Sequence, residues 1–346
     1  MKKILSFDKI YIEVTRRCNL SCAHCLRGDA ENIDLSYENI DALLNQTEMI
    51  NSLFFTGGEP SICVDKLEYF IDKIIENNIF LAMLKIVING KEQSLAFVKV
   101  IKKYSDYIKS LLGENTDMSQ FVEIVISMDR YHKGYNALDS YYFYKVNLYE
   151  YARVSTYSAG DNPVNKGRGK ELPEMFWYPP NPSTHHKIEI LSKDSKPICP
   201  NYAFYNLYYP EQIYICCELY VTAKGEILNA KFADDEYSKI DSMTFCHVTD
   251  NIYEKILEYN KGKPLCIECL KAEKEEMEKM NKDILNINFM SLPNKGERLK
   301  NLFDHVVKSC DEASRNYELM KYSVDNYDTV CETSQKRDYR MYKNEN

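Results

Sequence analysis

Residues 10–25 of the chain read IYIEVTRRCNLSCAHC, a β-branched run followed at once by three cysteines. Residues 10–14 are typical of a strand, and Cys18, Cys22 and Cys25 lie in the loop that follows. In β/α barrels the active site lies in the loops at the carboxyl ends of the strands. Three thiols crowded there favour a shared metal over three incidental surface thiols. Structural zinc normally takes four protein ligands, whereas an iron–sulfur cubane held by three cysteines keeps one iron open.

Composition sets limits on the class of protein. The 346 residues are 45% hydrophobic and 28% charged, which is typical of a globular chain, and the net charge of −8 makes nucleic acid an unlikely partner. No apolar run reaches the roughly 18 residues that span a membrane, and Asp8 interrupts the place of a signal-peptide core. We therefore expect a cytoplasmic protein without membrane contact. In a reducing compartment, some of the 12 cysteines should be metal ligands or catalytic thiols.

Short β-branched runs alternate with amphipathic stretches from residue 9 to about residue 198, which is the pattern of β/α units around a parallel sheet. Strands are predicted over residues 10–14, 52–55, 85–88, 121–127 and 153–157. Helices are predicted over residues 37–46, 67–79 and 142–151. Residues 159–195, which show no sustained period, are predicted to be a long connection.

A smaller β-rich part is predicted to follow. Residues 214–222 and 226–230 flank Ala223-Lys224-Gly225, which predicts a hairpin with glycine at its turn. Helical patterns over residues 271–280 and 297–307 predict a helical tail. We therefore expect a barrel over residues 8–198, a cysteine-containing hairpin module over residues 199–275, and a helical tail over residues 276–346 whose end is disordered.

The second predicted strand is followed by Thr56-Gly57-Gly58-Glu59-Pro60. Glycines permit close approach of the backbone to a ligand, and a carboxylate pairs with an ammonium group. By itself the segment indicates only a strand-to-helix turn, but after the cysteine loop and in this strand order it is specific. Together the two motifs resemble those of the radical S-adenosylmethionine (SAM) superfamily.

The resemblance covers roughly residues 8–200 and implies an α/β fold with a partial (β/α)6 TIM-like barrel. It implies that the three cysteines hold a [4Fe-4S] cluster whose open iron binds SAM, and that the Gly57-Gly58-Glu59 segment holds the SAM amino group. An electron from a donor such as flavodoxin or ferredoxin then cleaves SAM to a 5′-deoxyadenosyl radical, which abstracts a substrate hydrogen. No side chain needs to act as a nucleophile, so none is assigned as catalytic.

Polar residues at other strand ends resemble further SAM contacts of the superfamily. Asn89 closes the third predicted strand, and Ser127 and Asp129 close the fourth. His24, just before the last cysteine of the loop, is expected near the adenine. The alternatives are that Ser127 or Asp129 caps the following helix, and that His24 caps the loop.

Residues 165–169 read Asn-Lys-Gly-Arg-Gly. The segment resembles a Gly-Arg connection found after the fifth or sixth strand in peptide-modifying members of the superfamily. A plain solvated turn is the alternative for any single residue there.

A second group of cysteines resembles the shortened SPASM or twitch extension, which carries auxiliary iron–sulfur clusters. Its expected ligands are Cys217, Cys266 and Cys269, with Cys199, Cys216 or Cys246 as the fourth. Ala230 stands where the pattern has a cysteine, so two auxiliary clusters are not expected. One auxiliary cluster, a zinc ion and a vestigial module of buried thiols all stay open. Cys63, Cys310 and Cys331 are predicted to be structural.

The resemblance implies a radical SAM oxidoreductase that modifies a peptide or protein side chain. Two alternatives remain. The first is radical chemistry on a small-molecule or nucleotide-derived substrate, and the second is an iron–sulfur protein that senses redox state without catalysis.

Overall fold

The computed structural model describes residues 5–129, 131–133, 135–157, 165–172, 188, 190–191, 213–230 and 233–263. Its strands are β1 (Leu5–Thr15), β2 (Thr47–Gly57), β3 (Phe80–Ile88), β4 (Val122–Ser127), β5 (Arg153–Tyr157), β6 (Ile190–Leu191), β7 (Ile213–Val221), β8 (Glu226–Asn229) and β9 (Cys246–His247). Its α-helices are α1 (Tyr37–Leu44), α2 (Val64–Glu76), α3 (Leu95–Leu112), α4 (Ala137–Asn147), α5 (Tyr237–Ser242) and α6 (Ile252–Tyr259). Within this part of the chain, none of the helices is both long and apolar enough to cross a membrane.

The sheet confirms the predicted α/β class. Strands β1 to β5 pair in parallel and in chain order, and α1 to α4 lie in the connections between them. In a β/α barrel, strands that follow one another along the chain are neighbours in the sheet, whereas a doubly wound sheet reverses its strand order at a switch point. The carboxyl ends of these parallel strands therefore meet at one edge of the sheet.

The predicted hairpin is β7 and β8, and it continues this same sheet. Strand β7 pairs in parallel with β1, on the side away from β2, and Ile10 lies opposite Leu219. Strands β8 and β9 then add to the sheet in antiparallel fashion, and β6 pairs with β7. The domain boundary near residue 198 and the helical tail lie outside the described residues and stay predictions.

Helix α2 illustrates how the helices cover the sheet. Its side chains at i, i+3, i+4 and i+7 are buried, and they are Leu67, Phe70, Ile71 and Ile74. The ring of Phe70 meets that of Phe55 from β2 edge to face, with centroids 5.1 Å apart. This spacing places one apolar stripe of the helix against the core.

Three helices differ from the sequence prediction, and the first, predicted over residues 67–79, spans Val64–Glu76. The helix predicted over residues 142–151 spans Ala137–Asn147, because Asn136 caps it by accepting a hydrogen bond from the Leu138 N–H at 3.1 Å. Helix α3 was not predicted. Ser94 caps it by accepting from the Phe97 N–H, and its Tyr104 hydroxyl donates to the carbonyl of Leu81 at 2.9 Å.

A buried ion cluster joins the end of β1 to the chain beyond β8. The fully buried guanidinium of Arg16 donates to Glu13 at 3.1 Å and to Glu31 at 2.9 Å, and both of its terminal nitrogens donate to Asp241 of α5. Its carbon also lies 4.4 Å from the ring centroid of Tyr237. We call Arg16, Glu13, Glu31 and Asp241 the Arg16 cluster.

The Arg16 cluster predicts a large stability effect. Replacing Arg16 by Met leaves the Glu13 carboxylate buried without its cation, which typically costs about 3–5 kcal/mol. We expect Arg16→Met to lower the free energy of unfolding of the metal-free chain by this amount, measured by urea denaturation. Lys9→Met is the matched control, because the Lys9–Glu218 pair is about one third exposed and should contribute less than about 1 kcal/mol.

The pH dependence of this deficit follows from Glu13. Burial raises its pKa above the ordinary 4.5, although Arg16 opposes the rise. Without Arg16 the pKa of Glu13 in the folded chain rises further. The folded variant therefore keeps a proton on Glu13 at pH values where the unfolded chain has released it. The loss of unfolding free energy in Arg16→Met should therefore be smallest near pH 4.5. It should grow as the pH rises toward the pKa that Glu13 has in the folded variant. A deficit that is independent of pH, or no larger than that of Lys9→Met, would contradict this account of the cluster.

Candidate functional site

The cysteine loop follows β1 at the carboxyl edge of the sheet. Cys18, Cys22 and Cys25 are all partly exposed. The Cys25 N–H donates to the Cys22 carbonyl at 3.1 Å, and the Gly28 N–H donates to the Cys25 carbonyl at 3.3 Å. Burial raises the pKa of the Cys18 thiol, and the neighbouring Glu59 carboxylate adds to the rise. The loop thus presents three thiols from one short turn-rich segment.

The separation of the thiols bears on which metal group they fit. Four sulfurs around one zinc lie about 3.8 Å apart, because each zinc–sulfur bond is about 2.3 Å. Within the described residues, only His24, Asp129 and His132 bring three ligand atoms within 4.8 Å of one another, so the three thiols are spread more widely. In a [4Fe-4S] cluster each thiolate binds a different iron and the sulfurs stand further apart. The donor set therefore fits a cluster better than a single ion.

The end of β2 packs directly on the backbone of the cysteine loop. The Gly58 N–H donates to the Thr15 carbonyl and the Glu59 N–H donates to the Arg17 carbonyl, both at 2.8 Å. A Cβ atom on Gly58 would lie 2.1 Å from the Arg17 carbonyl oxygen. Glycine is therefore required here for contact with the protein's own backbone, a reason that the sequence prediction did not include.

The Glu59 carboxylate is buried and points between β2 and β3. Its Oε1 accepts from the N–H and the hydroxyl of Ser61 at 3.0 and 2.5 Å, and its Oε2 accepts from the Asn89 N–H at 2.6 Å. Burial raises its pKa, although these donors oppose the rise. One lone pair of Oε2 remains beyond these bonds. The predicted role toward the SAM amino group stays a prediction, since the carboxylate also fastens two strand ends together.

Asn89 connects the end of β3 to the cysteine loop. Its Nδ2 donates to the Asn19 side chain at 2.8 Å and lies 3.8 Å from the Cys18 sulfur. Its Oδ1 accepts from the Lys91 N–H at 2.8 Å, and its carbonyl accepts from the Tyr135 hydroxyl. The predicted site residue Asn89 therefore lies beside a predicted cluster ligand.

Asp129 lies next to the loop and binds two imidazoles. Its carboxylate is 3.4 Å from His24 Nε2 and 2.9 Å from His132 Nδ1, and it accepts from the Tyr131 N–H at 2.8 Å. The His24 and Tyr131 rings stack at 4.7 Å. His132 was not recognised in the sequence, although its position three residues after Asp129 was the available signal. The three ligand atoms would suit a single divalent ion, but the mutual pairing of carboxylate and imidazoles accounts for their closeness.

The charges in this group are set by their pairing. Burial alone would raise the pKa of Asp129, but the hydrogen bonds from His132 and His24 hold that pKa well below its usual range. Burial alone would lower the pKa of His132, but its contacts with Asp129 and Cys22 raise that pKa to about 9. At neutral pH a carboxylate and an imidazolium therefore stand beside the cysteine loop.

The alternative that Ser127 or Asp129 caps the helix after β4 is wrong. Helix α4 has Asn136 as its N-cap, so neither Ser127 nor Asp129 caps it. Ser127 is the last residue of β4, lies opposite Tyr157 of β5 and is partly exposed at the same edge. Its contact with SAM stays a prediction.

Some buried polar atoms beside the thiols have no hydrogen-bond partner among the described residues. Asn19 Nδ2 and His24 Nδ1 are buried, and no described residue makes a hydrogen bond to either atom. Buried polar atoms are nearly always paired, so these two point to a polar ligand at the loop. With three thiols and an open carboxylate lone pair beside them, the residues fit a cluster that carries a bound amino acid.

Within the segment at residues 165–169, Gly167, Arg168 and Gly169 do not form a plain solvated turn. The Arg168 N–H donates to the Cys25 carbonyl at 3.0 Å, and a short 3-10 helix, Gly167–Glu171, lies against the loop.

Cys63 and the second cysteine group lie outside the cysteine loop. Cys63, predicted to be structural, is fully buried. Cys217 in β7 and Cys246 in β9 are partly exposed, and burial raises the pKa of Cys246 to about 12. Within the described residues, no third ligand atom joins these two thiols within 4.8 Å. Cys199, Cys266, Cys269, Cys310, Cys331 and the side chain of Cys216 lie outside the described residues, so the auxiliary site stays a prediction.

Comparison with known proteins gives short local matches in sequence. No family model matches the chain. An uncharacterised protein of Methanocaldococcus jannaschii is 35% identical over 72 residues, which cover 20% of this chain and 25% of that protein. The GTP 3′,8-cyclase of Clostridium botulinum is 37% identical over 73 residues, which cover 18% of this chain and 23% of the cyclase. The matches thus span about a quarter of the length of these curated relatives.

Solved structures give distant matches. Native anSMEcpe with bound AdoMet and Cp18Cys peptide is 14% identical with a TM-score of 0.42, covering 90% of this chain and 99% of that chain. SuiB of Streptococcus suis bound to the precursor peptide SuiA is 13% identical with a TM-score of 0.29, covering 67% of this chain and 61% of SuiB. Neither likeness is close enough to transfer an activity.

The cysteine and Gly-Gly-Glu motifs stand on adjoining strand ends of a parallel α/β sheet. In residue type, spacing and strand context, the two motifs resemble those of the radical SAM superfamily.

Proposed function

We propose that the chain is a radical SAM oxidoreductase whose cysteine loop holds a [4Fe-4S] cluster on Cys18, Cys22 and Cys25. The observation that supports this most is the position of three partly exposed cysteines against the ends of β2 and β3, beside Glu59 and Asn89. When bound, the cluster supplies one electron to SAM and so generates a 5′-deoxyadenosyl radical for hydrogen abstraction from the substrate.

The chain's own residues bind and orient the cofactor in this proposal. The free lone pair of Glu59 accepts from the SAM ammonium group, while Asn89 keeps the end of β3 against Cys18. His24 offers to the adenosine part of SAM its Nδ1, which no described residue binds, and Asp129 fixes the orientation of that ring. Ser127 and the imidazolium of His132 add polar and positive groups suited to the SAM carboxylate.

We propose a peptide or protein side chain as the substrate. The support is the resemblance of the hairpin and its cysteines to a twitch extension, with the hairpin hydrogen-bonded to β1. Structures of anSMEcpe and SuiB hold peptides, but their likeness to this chain is too distant to assign a substrate. The local match to the GTP 3′,8-cyclase favours the second candidate, a nucleotide-derived substrate, although the match covers only 23% of that enzyme.

The proposal predicts one cluster on the loop. Anaerobic reconstitution should give brown protein, and adding SAM should change the electron paramagnetic resonance spectrum of the reduced cluster, because SAM binds its open iron. Replacing Cys18, Cys22 and Cys25 together by Ala should remove one [4Fe-4S] unit and abolish the SAM effect. Iron and zinc that remain in this variant belong to the second cysteine group.

The matched control is Cys63→Ala, which removes a fully buried thiol outside the loop and should leave the iron content unchanged. Colourless wild-type protein after reconstitution, or a triple variant with undiminished iron, is incompatible with the proposed cluster.

A second prediction concerns Glu59. Glu59→Gln keeps the shape of the side chain but removes the charge that pairs with the SAM ammonium. A hydrogen bond to a charged group is worth about 1.5–3 kcal/mol, so the Kd for SAM should rise by about 10- to 100-fold without loss of the cluster absorption.

Glu123→Gln is the control for this prediction. Glu123 is another buried carboxylate, bound to Arg153, but it lies near the amino end of β4, away from the loop. Its substitution should leave the Kd for SAM unchanged. Equal affinity of the Glu59→Gln variant and the wild type would remove Glu59 from the proposed site.

A further inference from the structure

We infer that Arg168 is a positioning residue, which holds the cysteine loop in the shape that presents its thiols to a cluster. This inference deepens the proposed function and rests on it. Arg168 follows Gly167 in the segment at residues 165–172, far from the loop in sequence.

Arg168 binds the loop at both of its later cysteines. Its backbone N–H donates to the Cys25 carbonyl at 3.0 Å, and its side-chain Nε donates to the Cys22 carbonyl at 3.0 Å. Its Nη1 also donates to the Asp29 carboxylate at 3.0 Å. One residue thus fixes the separation of two carbonyls that belong to predicted cluster ligands.

Gly167 makes this approach feasible. Its φ of +53° lies in the left-handed region, and a Cβ atom there would lie 2.4 Å from the Cys25 carbonyl oxygen and 2.5 Å from that of Leu26. A side chain at this position would therefore push the segment off the loop. Gly167 thus allows the close approach to the loop, and Arg168 makes the hydrogen bonds to it.

The segment is itself fastened on its far side. Lys166 donates to the Asp234 carbonyl at 2.6 Å and lies 3.0 Å from the Asp235 carboxylate. Arg168 therefore connects the loop to a fixed part of the chain, and its contacts restrict the loop.

The guanidinium also adds positive charge beside the proposed cluster. Its side chain is 23% exposed, whereas that of its partner Asp29 is 94% exposed, so solvent screens the countercharge more strongly. A nearby cation stabilises the more negative, reduced state of a cluster, and hydrogen bonds around the ligands tune its potential. Arg168 should therefore act on both the loop geometry and the reduction potential.

The test compares Arg168→Gln and Arg168→Lys with Lys170→Gln. Lys170→Gln removes the same charge from the same segment, but Lys170 pairs with Glu236 and not with the loop. In the metal-free chain, hydrogen exchange of the amides in residues 22–28 should be about tenfold faster in Arg168→Gln than in the wild type, and unchanged in Lys170→Gln.

The reconstituted cluster provides the second measurement. Its midpoint potential should shift to more negative values in Arg168→Gln, and Arg168→Lys, which keeps the charge, should restore it while the loop amides still exchange faster than in the wild type. Lys170→Gln should keep the wild-type potential. A merely structural role would not separate the two readouts in this way.

The inference is overturned if Arg168→Gln matches Lys170→Gln in hydrogen exchange, or if Arg168→Lys fails to restore the potential that Arg168→Gln loses. Failure of the proposed function is distinguishable, because a wild-type chain that binds no cluster would refute that function while the exchange experiment still decides whether Arg168 holds the loop.

Discussion

The buried guanidinium of Arg16 is the contact on which the site most depends. It lies two residues before Cys18 and binds carboxylates from β1, from the loop and from α5. A buried charge is tolerated only when it is paired, so the end of β1, the start of the loop and α5 must come together for any of them to be buried. The Glu13 carboxylate also accepts from the Ala223 N–H at 2.9 Å, which draws the hairpin turn into the same arrangement.

The other end of the loop is held in the same manner. Arg27 donates to the carbonyls of Ala233 and Asp235 and to the Tyr220 hydroxyl, while Arg168 binds the cysteine carbonyls. Three arginines therefore fasten a short loop to parts of the chain that lie far from it in sequence. Because the hairpin pairs with β1 and residues that follow it bind the loop, residues 213–230 and 233–241 help to build the site. Substitutions there should disturb cluster binding even where no thiol is changed.

Local patterns predicted the parts of the structure that depend on local physics. Alternating β-branched runs gave β1 to β5, and the spacing of the cysteines and of Gly57-Gly58-Glu59 indicated the site edge. The parallel pairing of β1 with β7 was not predictable in this way, since nothing in either strand specifies a partner some 200 residues away. Arg16 was missed because an isolated arginine looks like a solvated charge until its three carboxylates are brought together. His132 was missed because its role depends on the fold of the loop after β4.

The most direct test of the account is the release of 5′-deoxyadenosine from SAM. The reconstituted wild-type chain, incubated with SAM and dithionite, should release it at a rate that chromatography can follow, and the Cys18, Cys22 and Cys25 triple Ala variant should release none. A wild-type chain that carries the cluster and binds SAM, yet releases no 5′-deoxyadenosine under reduction, would contradict the account and leave a redox-sensing iron–sulfur protein in its place.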